Sequence, residues 1–280
     1  VMIFCDHQDK PAAFSAAELV RTLESAGYTV SVNGLEDLGL QEEKRIVLLT
    51  RPAFQKNVYT PQRSVERLPC TVPQSYSIRK RKDGERTTWY VIGGDSAGIM
   101  YGGLDFAQAV EAFGLEGIAD CDKTPYISER GIKFNIPLDA RTPSYSDSGD
   151  AAQENIPHMW EMDFWTEFLD QMARSRLNVL SLWNLHPFPS LVTVPEYPDV
   201  ALPDVMKTTT LLESELEGRG MSTPESLQHL KTLKVMTMED KVRFWREVMQ
   251  VAADRGIDIY LFTWNMFLYG TENAGYPFSN

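Results

Sequence analysis

The sequence predicts an α/β protein: a small α+β accessory domain over residues 1–125, then the first part of a (β/α)8 TIM barrel over residues 126–280. Three observations predict it. In the second part, apolar runs of strand length alternate with amphipathic helical runs in the order strand, helix, strand, helix, strand, which is the repeat of a parallel barrel. Each run then ends in polar and aromatic side chains. Ile132, Phe134 and Ile136 give way to Asp139 and Arg141; Val179, Leu180 and Leu182 give way to Trp183, Asn184 and His186; Ile257, Ile259, Leu261 and Phe262 give way to Trp264 and Asn265. The carboxyl ends of barrel strands are where active sites are built. Third, the first part alternates strand and helix signals and contains its own hairpin, so it has the makings of a separate small domain.

The elements follow in order. Val1 to Cys5 is a short apolar strand; Phe14 to Ala26 carries Phe14, Leu19, Val20 and Leu23 at helical spacing until Gly27 stops it. Arg45 to Thr50 is a buried strand. Ser75 to Lys82 and Thr87 to Ile92 alternate apolar and polar residues around Lys82-Asp83-Gly84, a hairpin signature. A glycine-rich turn, Gly93 to Gly102, then opens a helix whose apolar face is Leu104, Ala107, Val110 and Phe113. Its spacing fits neither the dinucleotide fingerprint nor the phosphate loop, so its glycines are expected to serve close packing. In the second part Asp163 is placed to cap a helix with Phe164, Phe168, Leu169 and Met172 on one face and Arg174 and Arg176 in its last turn. Thr237 and Asp240 have the spacing of a capping box for a helix burying Val242, Trp245, Val248 and Met249, which Gly256 ends. Between these helices the polar stretch Pro195 to Met236, with Glu196, Asp199, Asp204, Glu213, Glu215 and Glu217, is too long for a plain connection and is expected to carry a short helix of its own.

Composition narrows the function. At 280 residues, 43% hydrophobic and 24% charged, the chain has enough apolar material for one large core or two smaller ones. Its 39 acidic against 27 basic residues give a net charge of −12, which argues against nucleic acid or an anionic membrane as partner. No apolar run approaches the ~20 residues that span a bilayer, and no basic-then-apolar signal segment begins the chain. Cys5, Cys70 and Cys121 lie far apart without metal-ligand spacing and are expected to be buried small hydrophobes. His7, His158, His186 and His229 are scattered, so no metal and no cofactor is predicted.

Two motifs resemble those of family 20 β-N-acetylhexosaminidases and family 67 α-glucuronidases, whose α/β accessory domain precedes a (β/α)8 catalytic barrel. A Gly-x-x-x-Gly-x-x-Tyr-Gly pattern stands here as Gly94, Gly98, Tyr101 and Gly102. An Arg-Gly, apolar run, Asp-x-x-Arg pattern stands as Arg130-Gly131 leading to Asp139-Ala140-Arg141, one residue shorter. Leu177-Asn178-Val179-Leu180, after a methionine-containing helix, is similar to the hexosaminidase pattern as well.

The resemblance implies the N-terminal part of a carbohydrate-active glycoside hydrolase, cleaving glycosidic bonds in a poly- or oligosaccharide. Arg141 resembles the arginine that grips sugar hydroxyls, and its fork of donors suits adjacent hydroxyls or a carboxylate. Asp139 is cast as a substrate or structural ligand. Asn184, His186, Trp264 and Asn265 complete the expected substrate-binding set, although Asn184-Leu185-His186-Pro187 departs from the hexosaminidase pattern. Such hydrolysis needs paired carboxyls, or one carboxyl and an acetamido group. In the families resembled these come from later strands, so the resemblance puts them beyond residue 280. It also implies an exported enzyme, periplasmic or extracellular, with its signal upstream of Val1. The competing readings are a non-catalytic carbohydrate-binding protein on the same fold and a metal-dependent barrel hydrolase.

Overall fold

The computed structural model describes residues 1–40, 42–56, 69–142, 154–184, 188–209 and 227–263. The chain forms two compact units: residues 1–130 with the short segments 173–176 and 254–256, and the remainder.

In the first unit β1 (Met2–Phe4), β2 (Ser31–Asn33), β3 (Lys44–Thr50), β4 (Tyr76–Asp83), β5 (Arg86–Gly93) and β6 (Cys121–Lys123) make one mixed sheet in the order β2-β1-β3-β5-β4-β6. β1, β2, β3 and β5 run parallel, while the β4–β5 hairpin and β6 are antiparallel. The continuous apolar run of β3 follows from burial on both faces. Ile46 and Leu48 belong to the core with α1 (Lys10–Ser25) and α3 (Ser96–Phe113), whereas Val47 and Leu49 join the opposite one with Phe54 of α2 (Arg51–Lys56). Asp9 caps α1 and Asp95 caps α3. Phe113, expected on the buried face of α3, is 75% exposed at the helix end.

The glycine-rich turn serves close packing. A Cβ on Gly94 would sit 2.4 Å from the Val72 carbonyl oxygen, and one on Gly98 2.2 Å from the Ser75 carbonyl oxygen. The start of α3 thus lies flush against the backbone that leads into β4.

The second unit has the parallel strands β7 (Gly131–Asn135), β8 (Val179–Asn184) and β11 (Asp258–Thr263) in the order β7-β8-β11. Successive parallel strands lie side by side in chain order, the progression of a barrel rather than the reversal of a doubly wound sheet. Leu180 and Leu182 of β8 cluster with Trp165, Leu169 and Met172 of α4 (Met162–Arg174), after which a short helical turn α5 (Phe188–Leu191) precedes the polar stretch. Trp245, Val248 and Ala252 of α6 (Met238–Asp254) complete this cluster. Ser181 and Trp183 alternate to the other face. There the Trp183 ring lies 5.4 Å from that of Phe262 and 3.3 Å from Lys133 Nζ.

Several local expectations are corrected. Asp163 lies inside the first turn of α4 rather than capping it, and Arg176 follows the helix end in the left-handed region at φ 58°. The Thr237–Asp240 box forms, with Asp240 N donating to Thr237 Oγ1 at 3.1 Å and Thr237 N to Asp240 Oδ2 at 3.1 Å. The buried stripe of α6 is Lys241, Trp245, Val248 and Ala252, and Met249 is 39% exposed. Within the polar stretch the described residues add an antiparallel pair, β9 (Asp204–Thr208) with β10 (Leu230–Val235), to a short 3-10 turn at Pro198–Val200, and its central part, residues 210–226, lies outside the described residues. Among the described residues no helix is long and apolar enough to cross a membrane.

Candidate functional site

Immediately after β7 the chain stops pairing with β8 and turns to β9. Ile136 N still donates to the Trp183 carbonyl at 2.9 Å, but Ala140 N donates to the Met206 carbonyl at 3.0 Å. Leu138 is fixed from below, because its carbonyl accepts Trp160 Nε1 at 2.9 Å. Asp139 is thereby held inside the unit, with no exposed surface.

A buried carboxylate is tolerated only when its lone pairs are used. Asp139 Oδ1 accepts Arg141 N at 2.9 Å and Arg141 Nε at 2.7 Å, while Oδ2 accepts Arg141 Nη2 at 2.8 Å and Met206 N at 2.9 Å. The bond to Arg141 N is the local Asx turn that aspartate favours, and the two guanidinium bonds form a fork against the carboxylate. With four donors in place, Asp139 is the anchor of Arg141. Of its two expected roles, substrate or structural ligand, this bonding is the structural one.

Arg141 has a second partner in Asp204 of β9, whose Oδ1 accepts Nη2 at 2.6 Å. Its side chain is 22% exposed, so this is no ordinary surface ion pair. Burial alone would lower its pKa; the Asp139 and Asp204 carboxylates outweigh burial and hold it above the usual arginine value. Among the described residues Nη1 has no hydrogen-bond partner. The guanidinium is therefore fixed along one edge and keeps unused donors.

Lys241 of α6 completes the cluster. Wholly buried, it donates through Nζ to the Leu202 carbonyl at 2.8 Å and the Asp204 carbonyl at 2.7 Å. Two carboxylates and two cations thus come together from the segment after β7, from β9 and from α6. Asp204 stood in the sequence as one acid among many, and Lys241 was hidden by its charge. The stripe Trp245, Val248 and Ala252, extended back by one turn, was the signal that would have found it.

Of the other expected residues, Asn184 ends β8 in register with Thr263 of β11. His186, Trp264 and Asn265 lie outside the described residues. Among the described residues no three His, Cys, Asp or Glu side chains are grouped to hold a metal ion.

No family model matches the chain, and no curated protein is similar to it in sequence. Among solved structures it is similar to a glycoside hydrolase family 138 enzyme targeting pectin rhamnogalacturonan II, with TM-score 0.62, 19% identity and 98% of this chain covered. The chain spans about a third of that enzyme, 33% of its length. Matches also include a family 20 β-N-acetylhexosaminidase from Streptomyces coelicolor (TM-score 0.49, 14% identity, 93% of this chain and 41% of the other). A β-N-acetylhexosaminidase from Bacteroides fragilis matches with TM-score 0.46 and 17% identity, over 93% of this chain and 39% of its own. The first of these likenesses shows the fold: an α/β accessory unit followed by part of a barrel, as in glycoside hydrolases.

Proposed function

We propose that the chain is the N-terminal part of a carbohydrate-active glycoside hydrolase and that Arg141 binds the sugar. One observation carries the assignment to Arg141. A guanidinium stands just beyond the carboxyl end of β7, on the side of a barrel where substrates are bound, clamped by a buried carboxylate yet with Nη1 unused among the described residues. A surface ion pair has no need of so costly an anchor, whereas a binding site gains from a donor held in one orientation before the ligand arrives. Asn184, His186, Trp264 and Asn265, at the ends of the next two strands, are proposed to complete the subsite. The acid/base carboxyls are proposed to come from later strands, and the whole enzyme to act outside the cytoplasm.

The fold likeness directs the choice of ligands to pectic oligosaccharides, rhamnogalacturonan II fragments among them, with N-acetylhexosamine oligosaccharides as the second group. The test is a binding screen of the protein against both groups by ligand-detected NMR, repeated on Arg141→Lys. Binding by the wild type that weakens at least tenfold in the variant supports the reading. Failure of every oligosaccharide to bind at millimolar concentration would remove it, and binding without hydrolysis by the complete enzyme would favour a carbohydrate-binding protein on the same fold.

A further inference from the structure

Lys241 occupies a position where the α6 stripe calls for an apolar side chain. Burial of an ammonium is unfavourable unless its protons are matched, and here they are matched by the backbone of one short segment. The carbonyls of Leu202 and Asp204 both accept Lys241 Nζ, while the intervening Pro203 carbonyl accepts Met236 N at 3.1 Å. The entry to β9 is thus strapped at three successive carbonyls, two to Lys241 of α6 and one to Met236 in the link between β10 and α6. Trp160 closes the pocket, its ring centroid 5.5 Å from Nζ. The strapped residue is also the one that holds Arg141: Asp204 gives its carboxylate to Nη2 at 2.6 Å, and its carbonyl, already bonded to Lys241, lies 3.4 Å from the same nitrogen.

We infer that Lys241 is a positioning residue of the Arg141 site: by fixing the Asp204 backbone it keeps the Asp204 carboxylate on the guanidinium and so orders the donors that face the ligand. The use of that order rests on the proposed sugar-binding role of Arg141; the ordering itself does not. Charge is consistent with it. Burial lowers the Lys241 pKa to about 8, with Asp139 and Asp204 pulling it back up and Arg141 pushing it down, so the ammonium persists at neutral pH and the two carboxylates face two cations.

The test reads Arg141 directly, through hydrogen exchange of its guanidinium protons in 15N-arginine-labelled protein, assigned with Arg141→Lys. In the wild type these protons should exchange at least tenfold more slowly than those of Arg243, whose side chain is 67% exposed. Lys241→Met, similar in length and apolar, should raise the Arg141 rate at least tenfold while backbone amides of β7 and β8 keep their protection. If that variant does not fold, Lys241→Gln, which keeps a donor for one of the two carbonyls, should give an intermediate rate, and Asp204→Ala should raise it as well. Wild-type protons exchanging as fast as those of Arg243, or rates unchanged in folded Lys241 variants, would overturn the inference. Adding a mixture of pectic oligosaccharides to the same samples separates the two claims. Protected, Lys241-dependent protons that the sugar does not shift would leave Lys241 its role and refute sugar binding by Arg141.

Discussion

Asp139→Asn is the sharpest perturbation of this site, because it changes one atom and one charge in a fully buried position. The carboxylate accepts four hydrogen bonds, two on each oxygen, from Arg141 and Met206. An asparagine offers one accepting oxygen, and its amide group must then face two N–H donors, either Arg141 N and Nε or Met206 N and Arg141 Nη2, of which only Nη2 has a further acceptor in Asp204. Breaking a buried pair by removing one partner costs about 3 to 5 kcal/mol. Asp204 still faces Arg141 here, so the lower end of that range applies, about 3 kcal/mol. For a unit of this size such a loss lowers Tm by roughly 10 °C. Denaturant unfolding followed through the Trp160, Trp165 and Trp245 fluorescence measures it in the second unit. Asp204→Asn is the internal control. It removes one carboxylate bond to Arg141 from a side chain 16% exposed and should cost about 1 kcal/mol. A loss below about 1 kcal/mol for Asp139→Asn, or no difference between the two variants, would refute the anchoring role.

Two further outcomes follow from the same geometry. Gly98→Ala should destabilise the first unit by about 1 to 3 kcal/mol despite alanine's better helix propensity, because the added methyl meets the Ser75 carbonyl; thermal unfolding of the variant checks it. Lys241 gives a pH dependence: its folded pKa of about 8 lies below the ordinary 10.5, so between the two the folded state binds fewer protons than the unfolded chain. Wild-type stability should therefore rise relative to Lys241→Met from pH 8 to pH 10.5, and parallel curves for the two proteins would contradict the buried ammonium.

Much of the fold was legible because its signals are local. Period-two alternation around Lys82-Asp83-Gly84 marks the β4–β5 hairpin, and Thr237 with Asp240 marks the start of α6. β2 and β6 escaped because Ser31–Asn33 and Cys121–Lys123 are three-residue edge strands whose pairing is decided by their neighbours in the sheet. The β9–β10 pair is hard to see in the sequence since its alternation is weak: Leu230 to Val235 places lysines at 231 and 234 on a half-exposed strand. At the site, Asp139 and Arg141 stood out as polar residues after an apolar strand. Their bonding could not be read from spacing, because the Asp139 carboxylate accepts from Met206 N and the Arg141 guanidinium donates to Asp204, both more than sixty residues away. The burial of Lys241 was marked only by its place one turn before Trp245 on the apolar stripe, while its partners, the Leu202 and Asp204 carbonyls, leave no mark in a pattern of side chains.

The central claim, that the Asp139-clamped guanidinium binds a sugar, is tested most directly by Arg141→Lys. Arg141→Ala would strip the buried Asp139 of its counter-ion and confuse stability with binding. Lysine keeps a positive charge for Asp139 and removes the fork that leaves Nη1 over. The measurement is the dissociation constant for the best-binding oligosaccharide, with Tm determined on the same samples. The account predicts that Arg141→Lys weakens binding by about 2 to 4 kcal/mol, since a point charge does not reproduce a planar fork, and that the loss exceeds anything a shift in Tm explains. Unchanged affinity in a folded Arg141→Lys protein would contradict it and return Arg141 to a purely structural role.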